Sequence, residues 1–253
     1  MKVTFLGTGT SQGVPVIACN CDVCLSKDEK DKRLRSSVLI ETQGKTFVID
    51  TGPDFRQQML REKVQQLDAV LFTHEHKDHI AGLDDVRAFN FKQKKDMPIF
   101  ATQQVQNALK REFHYAFDEF KYPGVPELKL IDIDSSSFFI DDVKVTPIDV
   151  WHFKMKVKSF RIDNFTYITD ANKIDETELE KIKGSEVIVI NALRKTEHLS
   201  HFTMDEAVEL LQKLKPKKAY LTHISHLLGK HEEVQKELPN FIEIAYDGLS
   251  FSI

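Results

Sequence analysis

Side chains that bind metal ions are concentrated in the stretch Leu71–Gly82, LFTHEHKDHIAG. His74, His76, Asp78 and His79 fall within six residues, directly behind an apolar run that is typical of a buried strand. Residues two apart in an extended chain point to the same side, so the first two histidines can face one ion. Three imidazoles and a carboxylate suit Zn²⁺, Mn²⁺ or Fe²⁺. The sequence therefore predicts a metal site in the turn after this strand.

The chain's three cysteines, Cys19, Cys21 and Cys24, form a second cluster with the spacing C-x-C-x-x-C. An odd, tightly spaced set is a poor disulfide framework, whereas thiolates on one short loop suit zinc. A structural zinc site takes four tetrahedral ligands. His226, three residues after His223, is our candidate for the fourth ligand, although the sequence offers other histidines. The alternative interpretation is three buried or redox-active thiols without a metal.

Strand-like runs alternate with amphipathic segments in both halves of the chain. Apolar runs predict early strands at VTFL, SSVLIET, KTFVID and AVLFT, and late strands at EVIVI, KAYLT and IEIAYDGLSFSI. Gln43-Gly44 and Asp247-Gly248 are typical of hairpin turns. The spacing of apolar residues predicts a helix over Gln103–Phe117. Together these elements favour an α/β fold, with helices packed outside a sheet-based core.

Length and charge limit the classes of protein to consider. The 253 residues suit one large α/β domain, and no linker or repeat divides them, so we expect a single domain over residues 1–253. A net charge of −4 gives no general attraction for nucleic acid or anionic membranes. No stretch is apolar enough to span a bilayer, and the N-terminal MKVTFLGTGTS lacks the apolar core of a signal peptide. We therefore expect a cytoplasmic protein with no membrane partner, for which nucleic acid is a disfavoured partner.

The H-x-H-x-D-H spacing of residues 74–79 resembles the signature of the metallo-β-lactamase superfamily. The resemblance covers nearly the whole chain and implies an αββα sandwich with a dinuclear metal site at one edge of its two sheets. Asp50, which ends TFVID, matches the family's structural aspartate, and His152, Asp170 and His223 follow strand-like runs in the family's order. The resemblance implies that one metal is held by His74, His76 and His152, the other by Asp78, His79 and His223, and that Asp170 bridges them.

Within the superfamily, the cysteine cluster and the segment GTGTSQGVPVIACNCDVC resemble the PhnP-type cyclic phosphodiesterases. The resemblance implies one structural Zn²⁺ held by Cys19, Cys21, Cys24 and the late histidine His226. It also implies two Zn²⁺ or Mn²⁺ ions at the dinuclear site, and hydrolysis of small cyclic phosphodiesters such as cyclic ribose or nucleoside phosphates. PqqB-like proteins share this type of loop, so the cluster narrows the subfamily without fixing the substrate.

Two residues have predicted catalytic roles. His201, in LSHFTMDEAV, occupies the H-x-T setting of the family's phosphodiesterases, which implies that it contacts the phosphate and protonates the leaving alkoxide. His198 is the alternative for this role. Asp78 is expected to accept a proton from the attacking water, in addition to binding metal. Directly after His201, Thr203 and Glu206 match a capping box ahead of the helical run AVELLQKL.

Other members of the superfamily suggest alternative functions. tRNase Z shares the histidine motif and the H-x-T histidine, but it usually carries a long basic arm, whereas only a short strand-like stretch separates His152 from Asp170. A true β-lactamase would normally be exported with a signal peptide. A non-hydrolytic metal-binding scaffold is the alternative outside the enzymes. We expect a small phosphodiester as the binding partner, and a homodimer by analogy with family members.

Two further features have both a functional and a structural interpretation. Gly7–Gly13, GTGTSQG, could offer backbone N–H groups to a phosphate, or could be a tight turn after the first strand. Arg33 and Arg35 could steer an anionic substrate, although a solvated basic turn is the simpler interpretation. His114 and His231 lie in polar helical surroundings and are interpreted as surface residues.

Overall fold

Two β-sheets pack face to face in the computed structural model, which describes residues 1–120 and 122–253. The strands are, in chain order, β1 (Lys2–Gly7), β2 (Ser37–Thr42), β3 (Lys45–Ile49), β4 (Ala69–Leu71), β5 (Met97–Ala101), β6 (Leu128–Asp132), β7 (Phe138–Ile140), β8 (Val143–His152), β9 (Met155–Ile162), β10 (Phe165–Tyr167), β11 (Lys173–Ile174), β12 (Val187–Asn191), β13 (Lys218–Thr222), β14 (Ile242–Ile244) and β15 (Ser250–Ser252). The first sheet has the order β15-β1-β2-β3-β4-β5-β6. The second has the order β11-β8-β9-β10-β12-β13-β14, with β7 also paired to β8. Every strand predicted from an apolar run is confirmed.

Helices cover the outer face of each sheet. They are α1 (Phe55–Arg61), α2 (Lys77–Ile80), α3 (Arg87–Gln93), α4 (Gln103–Glu112), α5 (Glu176–Ile182), α6 (Met204–Leu214) and α7 (His231–Gln235). Buried residues of α1, α3 and α4 pack on the first sheet, and those of α5, α6 and α7 pack on the second. The chain is therefore a single α/β domain with the predicted αββα layers. No helix among the described residues is long and apolar enough to cross a membrane.

Burial on both faces of the sheets explains the continuous apolar runs in the sequence. In β3, Phe47 and Ile49 enter the layer between the two sheets, whereas Val48 between them enters the layer under α1 and α3. Successive strand residues point to opposite faces, so a strand covered on both sides is apolar at every position. Strands built this way are rigid, and their ends hold attached loops in fixed places.

Two sequence expectations about turns and helix ends had different outcomes. The capping box is confirmed: Thr203 accepts from the backbone N–H of Glu206, and the Glu206 carboxylate accepts from that of Thr203. The helix expected over Gln103–Phe117 ends earlier, at Glu112, and continues as a short 3₁₀ turn.

The hairpin expected at Asp247-Gly248 was wrong. β14 pairs with β13 in the second sheet and β15 pairs with β1 in the first, so this turn crosses between the sheets. The Asp247 side chain is only 9% exposed there and accepts hydrogen bonds from the backbone N–H groups of Thr8 and Leu34. A turn sequence shows that the chain reverses, but it does not show which strands then pair.

Candidate metal centre

Seven of the predicted ligands converge at one edge of the sandwich. The loop after β4 carries His74 and His76, and the first turn of α2 carries Asp78 and His79. The other three lie at strand ends: His152 ends β8, Asp170 lies shortly after β10, and His223 follows β13. Each comes from a strand whose neighbours fix its position in a sheet.

Three carboxylate or imidazole residues at this edge have left-handed backbone: Asp50 at φ 65°, Asp170 at φ 55° and His223 at φ 54°. Residues other than glycine rarely adopt this conformation, and such residues cluster at functional sites. Each follows a strand, where the left-handed residue bends the chain sharply at the strand end. The strand ends are therefore shaped around this cluster.

The first group of ligand atoms comes from three histidines. His74 Nε2 lies 3.1 Å from His76 Nδ1, and the His152 ring lies 5.5 and 5.1 Å from the rings of the other two. One ligand atom from each lies within 4.8 Å of the others. Two nitrogens at about 2.05 Å from a tetrahedral ion would be about 3.3 Å apart, which the separation between the first two matches closely.

The second group surrounds the buried ring of His79. Its Nε2 lies 3.2 Å from Asp78 Oδ2 and 3.2 Å from Asp170 Oδ2, yet it makes no hydrogen bond among the described residues. His223 Nε2 lies 3.2 Å from the other oxygen, Asp170 Oδ1. An unpartnered buried nitrogen between carboxylates fits a site for a cation, because an ion there would take up the nitrogen and the oxygens together.

Asp170 lies between the two groups. Its carboxylate belongs to the second set of close ligand atoms, and it also lies within 4.8 Å of the His152 nitrogen. This is the position that a bridging carboxylate would need. The donor set therefore fits two divalent ions.

For His152 and His223, a hydrogen bond on the far side of the imidazole directs the other ring nitrogen into the cluster. His152 donates from Nδ1 to the Ser200 carbonyl at 2.9 Å. The Ser36 hydroxyl donates to the Gly9 carbonyl, so it accepts from His223 Nδ1 at 3.1 Å. Such partners fix the tautomer and the ring orientation of a ligating histidine.

Burial and neighbouring charges set the protonation states that metal ligands need. Burial lowers the pKa of His74 and His152, and lowers that of His223 to about 4, so these rings are neutral. Burial alone would raise the pKa values of Asp78 and Asp170, but the adjacent histidines hold both below the usual range. Neutral imidazoles and ionised carboxylates are the forms that coordinate metals.

The electrostatic field at His79 favours positive charge. Burial opposes protonation of its ring, yet Asp78, Asp170 and Asp50 together raise the His79 pKa well above its usual value. Asp50 is fully buried, accepts from His79 Nδ1 at 2.7 Å, and also accepts from the backbone and hydroxyl of Thr73. The same negative field would favour a divalent cation beside His79 Nε2.

Replacing Asp50 by Asn is expected to weaken metal binding at the second group by about 10- to 100-fold. The amide keeps the shape but removes the charged acceptor that orients His79 Nδ1. Metal titration of the purified variant by calorimetry would measure the change. Asp68→Asn is a matched control, since Asp68 is a buried aspartate directly before β4 that pairs with Lys95 away from the cluster. Equal metal affinity in Asp50→Asn and wild type would contradict the orienting role.

The cysteine cluster assembles as predicted, with His226 as its fourth member. His226 Nδ1 lies 3.3 Å from the sulfurs of Cys19 and Cys21 and 3.6 Å from that of Cys24. Zinc–sulfur and zinc–nitrogen distances of about 2.3 and 2.05 Å give a tetrahedral S···N edge of about 3.5 Å. All three cysteines are free. A hydrogen bond from the Cys24 backbone and one from His226 lower the pKa of Cys21 to about 6, whereas burial raises that of Cys24 to about 11.

His201 lies among the ligand groups at the sheet edge. Its Nε2 lies 3.0 Å from Asp170 Oδ1, and its ring stacks on His223 at 4.9 Å and lies edge-on to His152 at 4.8 Å. His198 lies behind it, with its Nδ1 3.1 Å from His201 Nδ1. Of the two histidines considered as the acid, His201 is therefore the one that faces the ligand atoms.

Comparison with known proteins assigns the fold to a family. A family model described as the beta-lactamase superfamily domain matches residues 45–224. The chain belongs to the metallo-β-lactamase superfamily. The crystal structure of a diphosphatase from the PhnP family superposes with a TM-score of 0.93 at 38% identity, covering 99% of this chain and 96% of that one. Within the superfamily, the chain therefore belongs to the PhnP family.

Two other known proteins extend the comparison. An octanoyltransferase of Porphyromonas gingivalis is 39% identical over 252 residues, or 98% of this chain. The chain spans only about half of that protein, 51% of its length. The short form of human tRNase Z shares the fold, with a TM-score of 0.71 and 19% identity over 100% of this chain and 99% of that one.

The glycine-rich segment of this PhnP-family chain packs as a tight turn. Its N–H groups at Thr8, Gly9, Thr10 and Gly13 are all bonded within the protein. A Cβ at Gly7 would lie 2.0 Å from a backbone oxygen, so close packing requires the glycine. Of the two interpretations of this segment, the structural turn accounts for these contacts.

The interpretation of Arg33 and His231 as surface residues was wrong. Arg33 is buried, donating to the Thr8 hydroxyl at 2.8 Å and to the Ala245 carbonyl. Its guanidinium lies 3.3 Å from His231 Nδ1, and burial lowers the pKa of this buried histidine to about 4. Arg33 and His231 together hold the loop between β1 and β2 against the end of β14. His114 is exposed, as expected.

Proposed function

We propose that the chain is a metal-dependent phosphodiesterase that hydrolyses small cyclic phosphodiesters, such as cyclic ribose or nucleoside phosphates. The observation that carries the proposal is the position of His201, a non-ligand histidine in the predicted set, against the carboxylate between the two ligand groups. Membership of the PhnP family supports it. The proposed ions are two Zn²⁺ or Mn²⁺ in this cluster and one structural Zn²⁺ among the cysteines.

The ligand groups fix where a phosphate would bind. His74, His76 and His152 would hold one ion, Asp78, His79 and His223 the other, and Asp170 would lie between. Bound divalent ions lower the pKa of water and neutralise phosphate charge. Hydrogen bonds from outside the cluster orient His79, His152 and His223, so these three side chains need little rearrangement when the site binds its ions.

Two residues of the chain would move protons. The Asp78 carboxylate, held ionised beside His79, would accept the proton of the attacking water at Oδ2. His201 would donate a proton from Nε2 to the leaving alkoxide oxygen, which is a poor leaving group unless it is protonated. Because opening a cyclic ester releases an alkoxide on the same molecule, a fixed acid beside the phosphate suits this reaction.

A diphosphate is the second candidate substrate. The relative with 38% identity is described as a diphosphatase of the PhnP family, so a P–O–P bond is a specific alternative to a cyclic ester. Both substrates present a phosphorus with two bridging oxygens to the same ligand groups. They differ in the leaving group, since a phosphate leaves more readily than an alkoxide and needs an acid less.

Cleavage of RNA is less well supported. The described chain between His152 and Asp170 is occupied by the compact strands β9 and β10, which leave no long arm to hold a tRNA. The net charge of −4 adds no general attraction for a phosphate backbone. We therefore propose a cytoplasmic enzyme with a small-molecule substrate and, by analogy with the family, a homodimeric state.

Hydrolysis of 2′,3′-cyclic AMP by the metal-loaded protein tests the proposal. We expect turnover with Mn²⁺ or Zn²⁺, its loss with a chelator and in His74→Ala, and its retention in the exposed control His114→Ala. Diadenosine diphosphate and a pre-tRNA with a 3′ trailer would be assayed in parallel. Cleavage of the diphosphate alone would select the second candidate, and cleavage of the tRNA alone would overturn the small-molecule proposal.

A further inference from the structure

A phenylalanine occupies an unusual position in the turn between β8 and β9. Four hairpins in the described part of the chain have two-residue turns whose first residue is left-handed: Gln43, Asp141, Phe153 and Asp163, with φ of 50°, 51°, 56° and 50°. Three of these residues are polar, and short polar side chains such as those of the two aspartates are common in such turns. Phe153 is bulky and apolar in a conformation that large side chains rarely adopt, and such outliers cluster at binding sites.

The side chain of Phe153 borders the metal centre. His152, a proposed metal ligand, directly precedes Phe153, and both residues line an open cavity of about 440 Å³. The cavity is lined by His76, His152, Phe153, Lys154, Met155, Leu199 and Ser200. Phe153 is 45% exposed and Leu199 is 68% exposed, so two large apolar side chains face water at the entrance to the cluster. Apolar side chains exposed beside a polar cluster indicate a binding surface.

Phe153 and Leu199 form an apolar rim at the entrance, and hydrogen bonds fix this rim relative to the proposed metal ligands. The Phe153 backbone N–H donates to Asn172 Oδ1 at 2.9 Å, and Asn172 Nδ2 donates to the Leu199 carbonyl at 3.1 Å. One carboxamide thus joins the two segments that form the rim. The bond from His152 Nδ1 to the Ser200 carbonyl ties the same segments together at the ligand itself. The rim is therefore held in place before any ligand binds.

We propose that Phe153, with Met155 and Leu199, binds the planar base of a nucleoside phosphodiester whose phosphate lies at the metal centre. This inference rests on the proposed function and narrows its substrate class to nucleotides. A flat ring stacked on Phe153 covers the exposed part of this side chain, whereas a bare sugar phosphate would leave it in water. The Lys154 ammonium lies 5.2 Å from the Phe153 ring centroid and adds a positive charge that suits a phosphate-bearing ligand.

The test compares ligands that share a phosphate and differ in the base. Wild type and Phe153→Asn would be assayed with 2′,3′-cyclic AMP and with methyl riboside 2,3-cyclic phosphate. Asn tolerates the left-handed turn, so the variant should fold. We expect KM for the adenosine ester to rise by roughly 5- to 100-fold with little change in kcat, because base stacking is the interaction removed. The base-free ester should be unaffected. Asp163→Asn, at the same position of the β9–β10 turn, is the matched control.

Binding measurements separate this proposal from the proposed function. Calorimetry would compare AMP, ribose 5-phosphate and octyl phosphate on the metal-loaded wild type, Phe153→Asn and Leu199→Ala. Weaker binding of AMP alone in both variants supports the base subsite even if no cyclic ester is hydrolysed. The base subsite would be overturned if wild type and Phe153→Asn bound AMP equally. It would also be overturned if the substitution weakened binding of ribose 5-phosphate as much as binding of AMP. Selective loss of octyl phosphate would show that the rim takes an alkyl chain, and would also overturn it.

Discussion

Replacing His201 by Ala is expected to lower kcat for 2′,3′-cyclic AMP by about 10²- to 10⁴-fold, the usual contribution of a general acid. The imidazole Nε2 lies beside Asp170 at the junction of the two ligand groups, where the leaving oxygen would depart. Metal content, measured by mass spectrometry of the digested protein, should stay at the wild-type value. Turnover of bis(p-nitrophenyl) phosphate should fall far less, because nitrophenolate leaves without protonation.

The dependence on leaving group separates an acid from a structural residue. A variant that merely distorted the site would lose activity on both esters equally. His198→Ala is the control, since His198 contacts the far nitrogen of His201 and is more exposed; we expect a loss below tenfold. If His201→Ala instead loses a metal ion, His201 is a ligand, and the acid role assigned to it is wrong.

Replacing Cys21 by Ser is expected to remove one zinc ion per chain and to lower the free energy of unfolding by several kcal/mol, because structural zinc contributes directly to folding. The structural disturbance should also reach the ligand groups at the sheet edge. His226 of the cysteine site lies three residues from His223, and between them Ile224 bonds to the backbone of Thr8 and Thr10. Thr10 in turn contacts the His223 ring at 3.3 Å. We therefore expect activity to fall at least tenfold.

Denaturant unfolding, metal content and activity would be measured together on the Cys21→Ser variant. Asp22→Asn is the matched control, because Asp22 is exposed on the same loop between two of the cysteines. It should retain all three properties. Wild-type stability and zinc content in Cys21→Ser would show that the cysteines hold no structural ion. Loss of zinc with full activity would show that the two sites are independent.

The proposed metal ligands could be predicted in part, because the signal of residues 74–79 is local and ordered. His74, His76, Asp78 and His79 lie in one turn, where spacing alone suggests a shared ion. Asp170 and His223 could be placed only through the family resemblance, since a single acid or histidine after a strand has many uses. The structure brings them together because parallel strands end at the same edge of a sheet.

Contacts between distant segments account for what the sequence did not predict. Arg33 and His231 are 198 positions apart, and each taken alone resembles a surface residue. The Asp247 turn looks like a hairpin until its strands are assigned to different sheets. Phe153 carries no signal beyond its place after His152. The binding role proposed for Phe153 rests on its backbone conformation and exposure, which composition and periodicity do not encode.

The most direct test of the account is whether two metal ions lie side by side with Asp170 between them. Protein reconstituted with Mn²⁺ would be examined by electron paramagnetic resonance. The account predicts two Mn²⁺ ions per chain with an exchange-coupled spectrum, because ions in a two-metal hydrolytic site lie roughly 3.5–4 Å apart. In Asp170→Ala the coupling should disappear. A six-line spectrum of isolated Mn²⁺ in the wild-type protein, or a single bound ion, would contradict the dinuclear centre and the hydrolytic mechanism built on it.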